Sequence, residues 1–212
     1  MDEYFDTGQG FWYLTRAAGL MTWLAACCSI LVGLLMGSKM FGKRPGQPWL
    51  LDFHRYLSAM SLAFLAIHLV TLWADSFVDF GPEELFIPGT EVPGYTTLGI
   101  TLGVLSSWLI VIVQLTSVFK DYFPHRFWHS IHLFSFVVVF MGAYHGFDTG
   151  SEGRRALTEP KNIIVLSIGA SLLAAIVVGT IARVIGSRQA KNYKDYRTQE
   201  LQMAKQKIRD SV

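Results

Sequence analysis

The sequence has few charged residues and almost no cysteine. Of its 212 residues, 16% are charged, whereas an ordinary soluble domain has about 25%. The formal net charge of +2 is too small to indicate a nucleic-acid partner. The two cysteines, Cys27 and Cys28, are adjacent within an apolar run, so neither a disulfide framework nor a thiolate metal site is expected. These deficits exclude a soluble disulfide-rich, nucleic-acid-binding or disordered protein.

What the sequence has instead is apolar residues gathered into long runs. Hydrophobic residues make up 51% of the chain, and its mean hydropathy is +0.36. A helix needs about 20 mainly apolar residues to cross a bilayer. Five runs meet this requirement, at 17–36, 56–74, 94–119, 127–147 and 162–182. The sequence therefore predicts an all-α membrane protein, a bundle of five transmembrane helices in contact with the lipid bilayer.

The unequal distribution of basic residues predicts the orientation of the bundle, because cytoplasmic loops collect Lys and Arg. One side of the membrane receives fourteen of the eighteen basic residues: Lys39, Lys43, Arg44, Arg55, Lys120, Arg126 and eight residues of the tail from Arg183 to Arg209. The other side receives Arg16, Arg154, Arg155 and Lys161. The N-terminus has Asp2, Glu3 and Asp6 instead of the basic start of a signal peptide. We therefore expect a retained first helix, the N-terminus outside and the C-terminus in the cytoplasm.

Two segments lie outside the predicted spans. The segment 76–93 combines three prolines with several apolar residues, so it either folds back as a cap on the outer end of the bundle or serves as a linker. The tail 187–212 is basic and has no Gly or Pro, which predicts a cytoplasmic helix touching the membrane surface or a partner. We therefore divide the chain into a transmembrane domain, residues 1–186, and a basic helical tail, residues 187–212.

The six histidines are concentrated on two of the five predicted helices. His125 lies in the connection beside Pro124, and the other five lie on the second and fourth helices: His54, His68, His129, His132 and His145. An ionisable residue inside a span is costly and is by default a candidate functional residue. A single histidine of this kind is often a hydrogen-bonded packing residue, but four at matched depths are difficult to explain in that way.

The spacing of the histidines predicts two sites at different depths. His54 and His68 are 14 residues apart, and His132 and His145 are 13 apart, on helices that run in the same direction. At 1.5 Å per residue, the members of each helical pair are separated by roughly 20 Å along the membrane normal. Each leaflet therefore receives one imidazole from each helix. Small residues of the two helices, among them Ser61 and Gly142, would leave room between them.

Two imidazoles that face each other suit the axial positions of a haem iron. A non-haem metal site usually includes carboxylates or thiolates, and the second and fourth spans contain neither. Viewed down the axis of an ideal helix, His68 is rotated only ~40° from His54, whereas His145 is rotated roughly 140° from His132. The fourth helix must therefore bend, overwind or present its two ligands from different sides. Neither the rotation about the helix axis nor the position along it decides between His129 and His132 as the ligand at the inner site.

The chain resembles the ferric reductase-like transmembrane family, which includes ferric reductases, NADPH oxidases and the haem subunit of bacterial methionine-sulfoxide reductase systems. The similarity extends to about Gly186. It is carried by the opening Trp12-Tyr13-Leu14-Thr15-Arg16-Ala17-Ala18-Gly19, by His54-Arg55 and His68, and by Trp128, His129, His132-Leu133, His145-Gly146 and Asp148-Thr149. The four histidines together are a specific signal, whereas any one of these motifs alone is weak.

The resemblance implies two b-type haems and assigns their ligands. It pairs His54 with His132 at the inner haem and His68 with His145 at the outer haem, and the family's usual spacing favours His132 over His129. Arg55 and Arg126 would then lie near the inner propionates and Arg16 near the outer ones. Arginines at a membrane interface also serve as snorkelling or topology residues, so that interpretation stays open for all three. The resemblance also implies a bacterial plasma membrane.

The sequence departs from the family pattern in two respects. Many members have six core helices, whereas five are predicted here. The reductases and oxidases also have a cytoplasmic flavin and NAD(P)H domain, but only the short segment 183–212 follows the fifth span, and it lacks a Gly-rich dinucleotide-binding turn. We therefore expect no FAD or NAD(P) site here, and a separate electron donor, which is a flavoprotein, a quinol or another redox subunit.

The function predicted from these features is that of a di-haem b-type cytochrome, the electron-transfer subunit of an oxidoreductase. It would carry single electrons across the membrane to an extracytoplasmic acceptor. The alternative is a structural or anchoring subunit of a redox complex, with one haem or none. A third interpretation is an ion or proton pathway lined by histidines. Carboxylates inside the bundle would favour it, and the predicted spans contain none.

Overall fold

The computed structural model of the protein describes residues 7–37, 48–75, 80–150 and 160–209. Of these described residues, 90% are helical. The described helices are α1 (Thr7–Gly37), α2 (Pro48–Ala74), α3 (Pro82–Phe86), α4 (Thr97–Val118), α5 (His125–Thr149) and α6 (Pro160–Arg209). All except the short α3 are long and apolar enough to cross a membrane. The structure thereby confirms the prediction of a nearly all-α protein with five long apolar helices that could cross a membrane.

Some helices begin earlier than the apolar runs that predicted them. Helix α2 begins at Pro48, since the fixed φ of proline suits the first turn of a helix, and it therefore includes His54. Helix α5 begins directly after Pro124, so His125, which the sequence placed in the connection, is its first residue. A single 3₁₀ turn, Lys120–Tyr122, links α4 to α5.

The long helices form two hairpins. Helix α1 packs along α2, and α4 packs along α5, while α1 also contacts α5 and α6. At the meeting of α1, α5 and α6, Cys27, Val139 and Ile176 are almost completely buried. The histidine-bearing helices α2 and α5 belong to different hairpins, so α1 lies behind one and α4 behind the other.

The outward faces of the long helices are apolar. Val70, Val118 and Val178 are 61%, 64% and 64% exposed. Exposed aliphatic side chains along five helices of this length are stable in hydrocarbon, where the helical backbone satisfies its own hydrogen bonds. These faces are therefore in contact with the lipid bilayer.

The described part of the segment 76–93 forms a cap rather than a free linker. Phe80, Leu85 and Val92 are 6–7% exposed and pack with Ile100 and Val104 of α4 in one apolar cluster. The chain turns at Gly89 and Gly94, where φ is 94° and 85°, values that favour glycine. One end of the α2–α4 contact is thereby covered.

Helix α6 contains both the fifth span and the tail. Its 50 residues correspond to about 75 Å of helix at 1.5 Å per residue. Ile176 anchors the apolar part against α1, and every described side chain from Ile181 onward is exposed. The boundary drawn at residue 186 therefore lies inside an uninterrupted helix, which carries residues 187–209 beyond its apolar part.

Several residues used to predict the topology lie outside the described residues or have side chains that are not described. They are Asp2, Glu3, Asp6, Lys39, Lys43, Arg44, Arg154, Arg155, Lys161, Lys207, the segment 76–79 and the segment 210–212.

Candidate haem site: two histidine pairs between α2 and α5

The four histidines assigned by the sequence lie in two pairs, each with one ring from α2 and one from α5. The ring centroids of His54 and His132 are 6.0 Å apart, and those of His68 and His145 are 6.5 Å apart. Two imidazoles on opposite sides of one metal have centroids roughly 6 Å apart, from two metal–nitrogen distances of about 2 Å and about 1 Å within each ring. The separation in each pair therefore suits two axial ligands of one metal.

Three of these rings are anchored through Nδ1 to a backbone carbonyl of the neighbouring helix. Nδ1 of His54 lies 2.8 Å from the Ser29 carbonyl oxygen, Nδ1 of His68 lies 2.8 Å from that of Thr15, and Nδ1 of His145 lies 2.9 Å from that of Gly99. Because a carbonyl oxygen only accepts hydrogen bonds, each Nδ1 must carry the proton. The lone pair is then on Nε2, the nitrogen that remains to bind a metal.

The fourth ring, His132, is anchored through a hydroxyl. Its Nδ1 lies 3.2 Å from Oγ of Ser117. The single hydrogen of that hydroxyl is donated to the Val113 carbonyl oxygen at 2.7 Å. Ser117 Oγ therefore accepts from Nδ1 of His132. All four histidines thus have the same tautomer, with the Nε2 lone pair available.

Each carbonyl-anchored ring rests on a glycine one helical turn beyond that carbonyl. A Cβ added at Gly19 would lie 3.0 Å from the ring of His68, one at Gly33 would lie 3.4 Å from His54, and one at Gly103 would lie 2.5 Å from Nδ1 of His145. A missing side chain lets the ring approach the backbone closely, as small residues do in membrane helix packing. The glycines of α1 and α4 therefore form cradles for the histidines of α2 and α5.

The pair of His68 and His145 lines a cavity of about 980 Å³, at the upper end of the roughly 300–1,000 Å³ typical of ligand sites. The cavity walls are mainly apolar, and Arg16 also lines the cavity. Arg16 further lies over the ring of Trp12, with 5.7 Å between its guanidinium carbon and the ring centroid. The structure thus brings one of the three predicted arginines to the same cavity as a histidine pair.

The other two arginines lie on the surface at the opposite end of the bundle. Arg55 is exposed, and its guanidinium is 3.6 Å from the carboxylate of Asp52 on the same helix. Arg126 is exposed in the first turn of α5. A role beside the inner propionates stays a prediction for both.

Helix α5 places His132, and not His129, opposite His54. His129 is exposed and stacks on His125, with centroids 5.9 Å apart and planes 20° apart. His132 and His145 both reach α4, at Ser117 and Gly99, and helix α5 is unbroken between them. The unfavourable helical phase between His132 and His145 is thus overcome, because hydrogen bonds to α4 direct both rings.

A buried hydrogen-bond donor, the indole N–H of Trp128, lies beside His132. The Trp128 ring is 5.2 Å from that of His132, and its Nε1 is buried without a hydrogen-bond partner among the described residues. A buried N–H group usually has a partner, so a bound group with an acceptor oxygen would suit this place. The cradles and this donor both fit a planar group with carboxylates held between the histidines.

Trp23 lies on α1 between Thr15 and Ser29, the residues whose carbonyls anchor His68 and His54. Its Nε1 donates to the Val139 carbonyl oxygen at 2.8 Å, and its ring lies against Gly142 and Gly169, where an added Cβ would be 3.2 and 3.5 Å away. Gly142 therefore makes room for Trp23. Ser61, the other small residue noted in the sequence, donates to the Thr22 carbonyl oxygen and joins α2 to α1.

Asp148 ties the C-terminal end of α5 to the start of α4. The Thr96 hydroxyl accepts from the Gly99 backbone N–H at 3.0 Å as an N-cap and donates to the Asp148 carboxylate. Because Gly99 also supplies the carbonyl that anchors His145, this cap holds the anchoring turn in place.

The sequence analysis missed the residues that anchor the rings. They follow a regular pattern. The interval between Thr15 and Ser29, whose carbonyls anchor His68 and His54, is repeated on α4 between Gly99, whose carbonyl anchors His145, and Val113, whose carbonyl accepts from Ser117. It is also the interval between His54 and His68. Each anchoring residue is followed one turn later by a small residue. Small residues at this repeat could have indicated the cradles.

No protein-family model, curated protein or solved structure matches the chain.

Proposed function

We propose that the protein is a di-haem b-type membrane cytochrome, the electron-transfer component of an oxidoreductase. His54 and His132 would hold the inner haem, and His68 and His145 the outer haem. One observation carries the proposal: two imidazole pairs have the spacing of axial ligands, and every Nδ1 is engaged by a neighbouring helix. A pair of imidazoles is also the ligand number that a six-coordinate haem iron requires from protein.

When bound, haem would supply an iron that accepts and releases one electron at a time. The residues of the chain do the rest. The carbonyls of Thr15, Ser29 and Gly99 fix the tautomer and orientation of their histidines and make each Nε2 more basic. The mainly apolar walls of the cavity at His68 and His145 would keep water away from that site, which strengthens the electrostatic interactions within it.

The arrangement of the two pairs suits transfer across a membrane. His54 and His68 are separated by roughly 20 Å along helix α2, so each pair would serve one leaflet. We propose the N-terminus outside and the C-terminus in the cytoplasm, from the basic residues near the inner end and in the tail. Electrons from a cytoplasmic or quinol donor would then pass from the inner to the outer haem and on to an extracytoplasmic acceptor.

The resemblance to the ferric reductase-like transmembrane family supports the same proposal, together with a bacterial plasma membrane as the location. The pairing implied by that resemblance and the proximity of the rings agree for all four histidines. Arg16, in the cavity of the outer pair, is the arginine best placed for an outer propionate.

The test is the haem content of the purified full-length protein. Absorption of the reduced-minus-oxidised protein should show a b-type band, and extraction with alkaline pyridine should give two haems per chain. Protein expressed with ample haem supply and isolated without haem would overturn the proposal and leave the anchoring subunit as the function. One haem per chain would overturn its di-haem form.

A further inference from the structure

One of the four ligand histidines has a different anchor from the others. Nδ1 of His54, His68 and His145 each donates to a carbonyl oxygen at 2.8–2.9 Å, and Nδ1 of His54 also lies 3.0 Å from the Ser29 hydroxyl oxygen. Nδ1 of His132 donates instead to the Ser117 hydroxyl at 3.2 Å. Ser117 stands one turn after Val113, at the position that a glycine occupies behind each of the other three rings.

We propose that Ser117 is a positioning residue that makes the two haem sites unequal, by inserting a hydroxyl between His132 and the Val113 carbonyl. The inference rests on the proposed function. A neutral hydroxyl at the longer distance is a weaker acceptor than a helix carbonyl, so His132 is the least basic of the four ligands. A less basic axial ligand stabilises ferric iron less, and the inner haem therefore has a higher reduction potential than a carbonyl-anchored site would have.

The geometry of Ser117 supports a relay rather than an accidental contact. Its only hydrogen is donated to the Val113 carbonyl at 2.7 Å, so its oxygen is fixed as the acceptor for His132. The side chain of Ser117 is only partly exposed, and it lies within α4 in a membrane-spanning segment. Ser117 stands one residue before the end of α4 at Val118, and removal of its hydroxyl would take away the acceptor that the structure shows for the His132 N–H.

Two substitutions at this position should act in opposite directions. In Ser117→Gly the cradle matches the other three, and Nδ1 of His132 can reach the Val113 carbonyl directly, so the inner potential should fall. In Ser117→Ala the methyl group blocks that approach and accepts no hydrogen bond, so the inner potential should rise. Thr116→Val is the control for loss of a neighbouring hydroxyl on α4, because the Thr116 hydroxyl donates mainly to the Ile112 carbonyl at 2.8 Å, with a longer contact of 3.2 Å to the Val113 carbonyl, and has no hydrogen bond to a histidine among the described residues.

The measurement is a potentiometric titration of the haem-loaded full-length protein, in which the two haems titrate as separate components. The component that disappears in His132→Ala is the inner one. Opposite shifts of this component in the two Ser117 variants, with the outer component unchanged and Thr116→Val equal to wild type, would support the inference. Shifts of the same sign in Ser117→Gly and Ser117→Ala, or equal shifts of both components, would overturn it, because general disturbance of the bundle gives that pattern.

A second measurement separates this inference from the proposed function. The second measurement is the NMR spectrum of protein with isotope-labelled histidine in detergent, recorded in the reduced or the haem-free state. The Nδ1–H proton of His132 should have a lower chemical shift than the Nδ1–H protons of the other three histidines. Ser117→Gly should move it toward the other three, and Ser117→Ala should move it further away. If the wild-type protein binds no haem, the proposed function fails while this measurement still decides the role of Ser117; an unchanged His132 resonance in both variants would disprove that role.

Discussion

Nδ1 of His145 lies so close to Gly103 that a Cβ there would be 2.5 Å away. The equivalent distance is 3.0 Å between Gly19 and the ring of His68, and 3.4 Å between Gly33 and the ring of His54. The distance at Gly103 is shorter than real Cβ contacts. The distance at Gly19 is tight, and that at Gly33 is an ordinary van der Waals contact. The three cradles therefore differ in how much room they leave for a side chain.

The first prediction concerns these glycines. Gly103→Ala should displace the His145 ring from the Gly99 carbonyl and remove the outer haem, while the inner haem stays. Gly33→Ala, with the same added methyl group on α1, should retain both haems. Haem extraction and difference spectra of the two purified variants measure this. Equal haem content in Gly103→Ala and Gly33→Ala would show that the cradle at Gly103 is not required.

The second prediction concerns the ligands. His68→Ala and His132→Ala should each remove one haem rather than both, because the two histidine pairs lie at different depths. His129→Ala is the control and should retain both haems, since His129 is exposed and stacks on His125. Haem per chain is measured after purification. Loss of a haem in His129→Ala with none lost in His132→Ala would reassign the inner ligand.

The third prediction separates a backbone role from a side-chain role at Thr15. Its carbonyl anchors His68, whereas its hydroxyl donates to Thr71 Oγ1 at 2.9 Å. Thr15→Val keeps the carbonyl, so the outer haem should stay, and the free energy of unfolding in detergent should fall by only about 0.6 kcal/mol, the average for such bonds between membrane helices. Loss of the outer haem in Thr15→Val would mean that the hydroxyl, and not the carbonyl, positions His68.

The fourth prediction concerns the packing of Trp23 against α5 and α6. Trp23→Phe removes the bond to the Val139 carbonyl and should lower the free energy of unfolding by about 1 kcal/mol. Trp23→Ala also opens a cavity against Gly142 and should cost about 3–5 kcal/mol. Trp73→Phe, at a tryptophan that is 66% exposed, should have little effect. Denaturant titration in detergent, followed by circular dichroism, measures the three variants; equal losses in Trp23→Phe and Trp73→Phe would contradict the structural role.

The sequence correctly indicated the number and position of the long helices, because apolar length and the scarcity of charge are local properties of the chain. It did not decide whether residues 80–93 form a cap or a linker. The cap depends on the fit of Phe80 and Leu85 to α4, and that contact is not encoded in the hydropathy of either segment.

The sequence by itself placed His54, His68, His132 and His145 at two depths on two helices, because the constant rise of a helix converts residue spacing into depth. Only the tertiary structure decided that His132 rather than His129 lies opposite His54, and that both rings of α5 reach one partner helix despite a phase difference of roughly 140° on an ideal helix. Side-chain rotation and hydrogen bonds to α4 correct such a difference, and neither can be read from spacing. The anchoring groups were hidden for a related reason: they are mainly backbone carbonyls, which every residue has, and only packing against a glycine makes one of them accessible to a histidine ring.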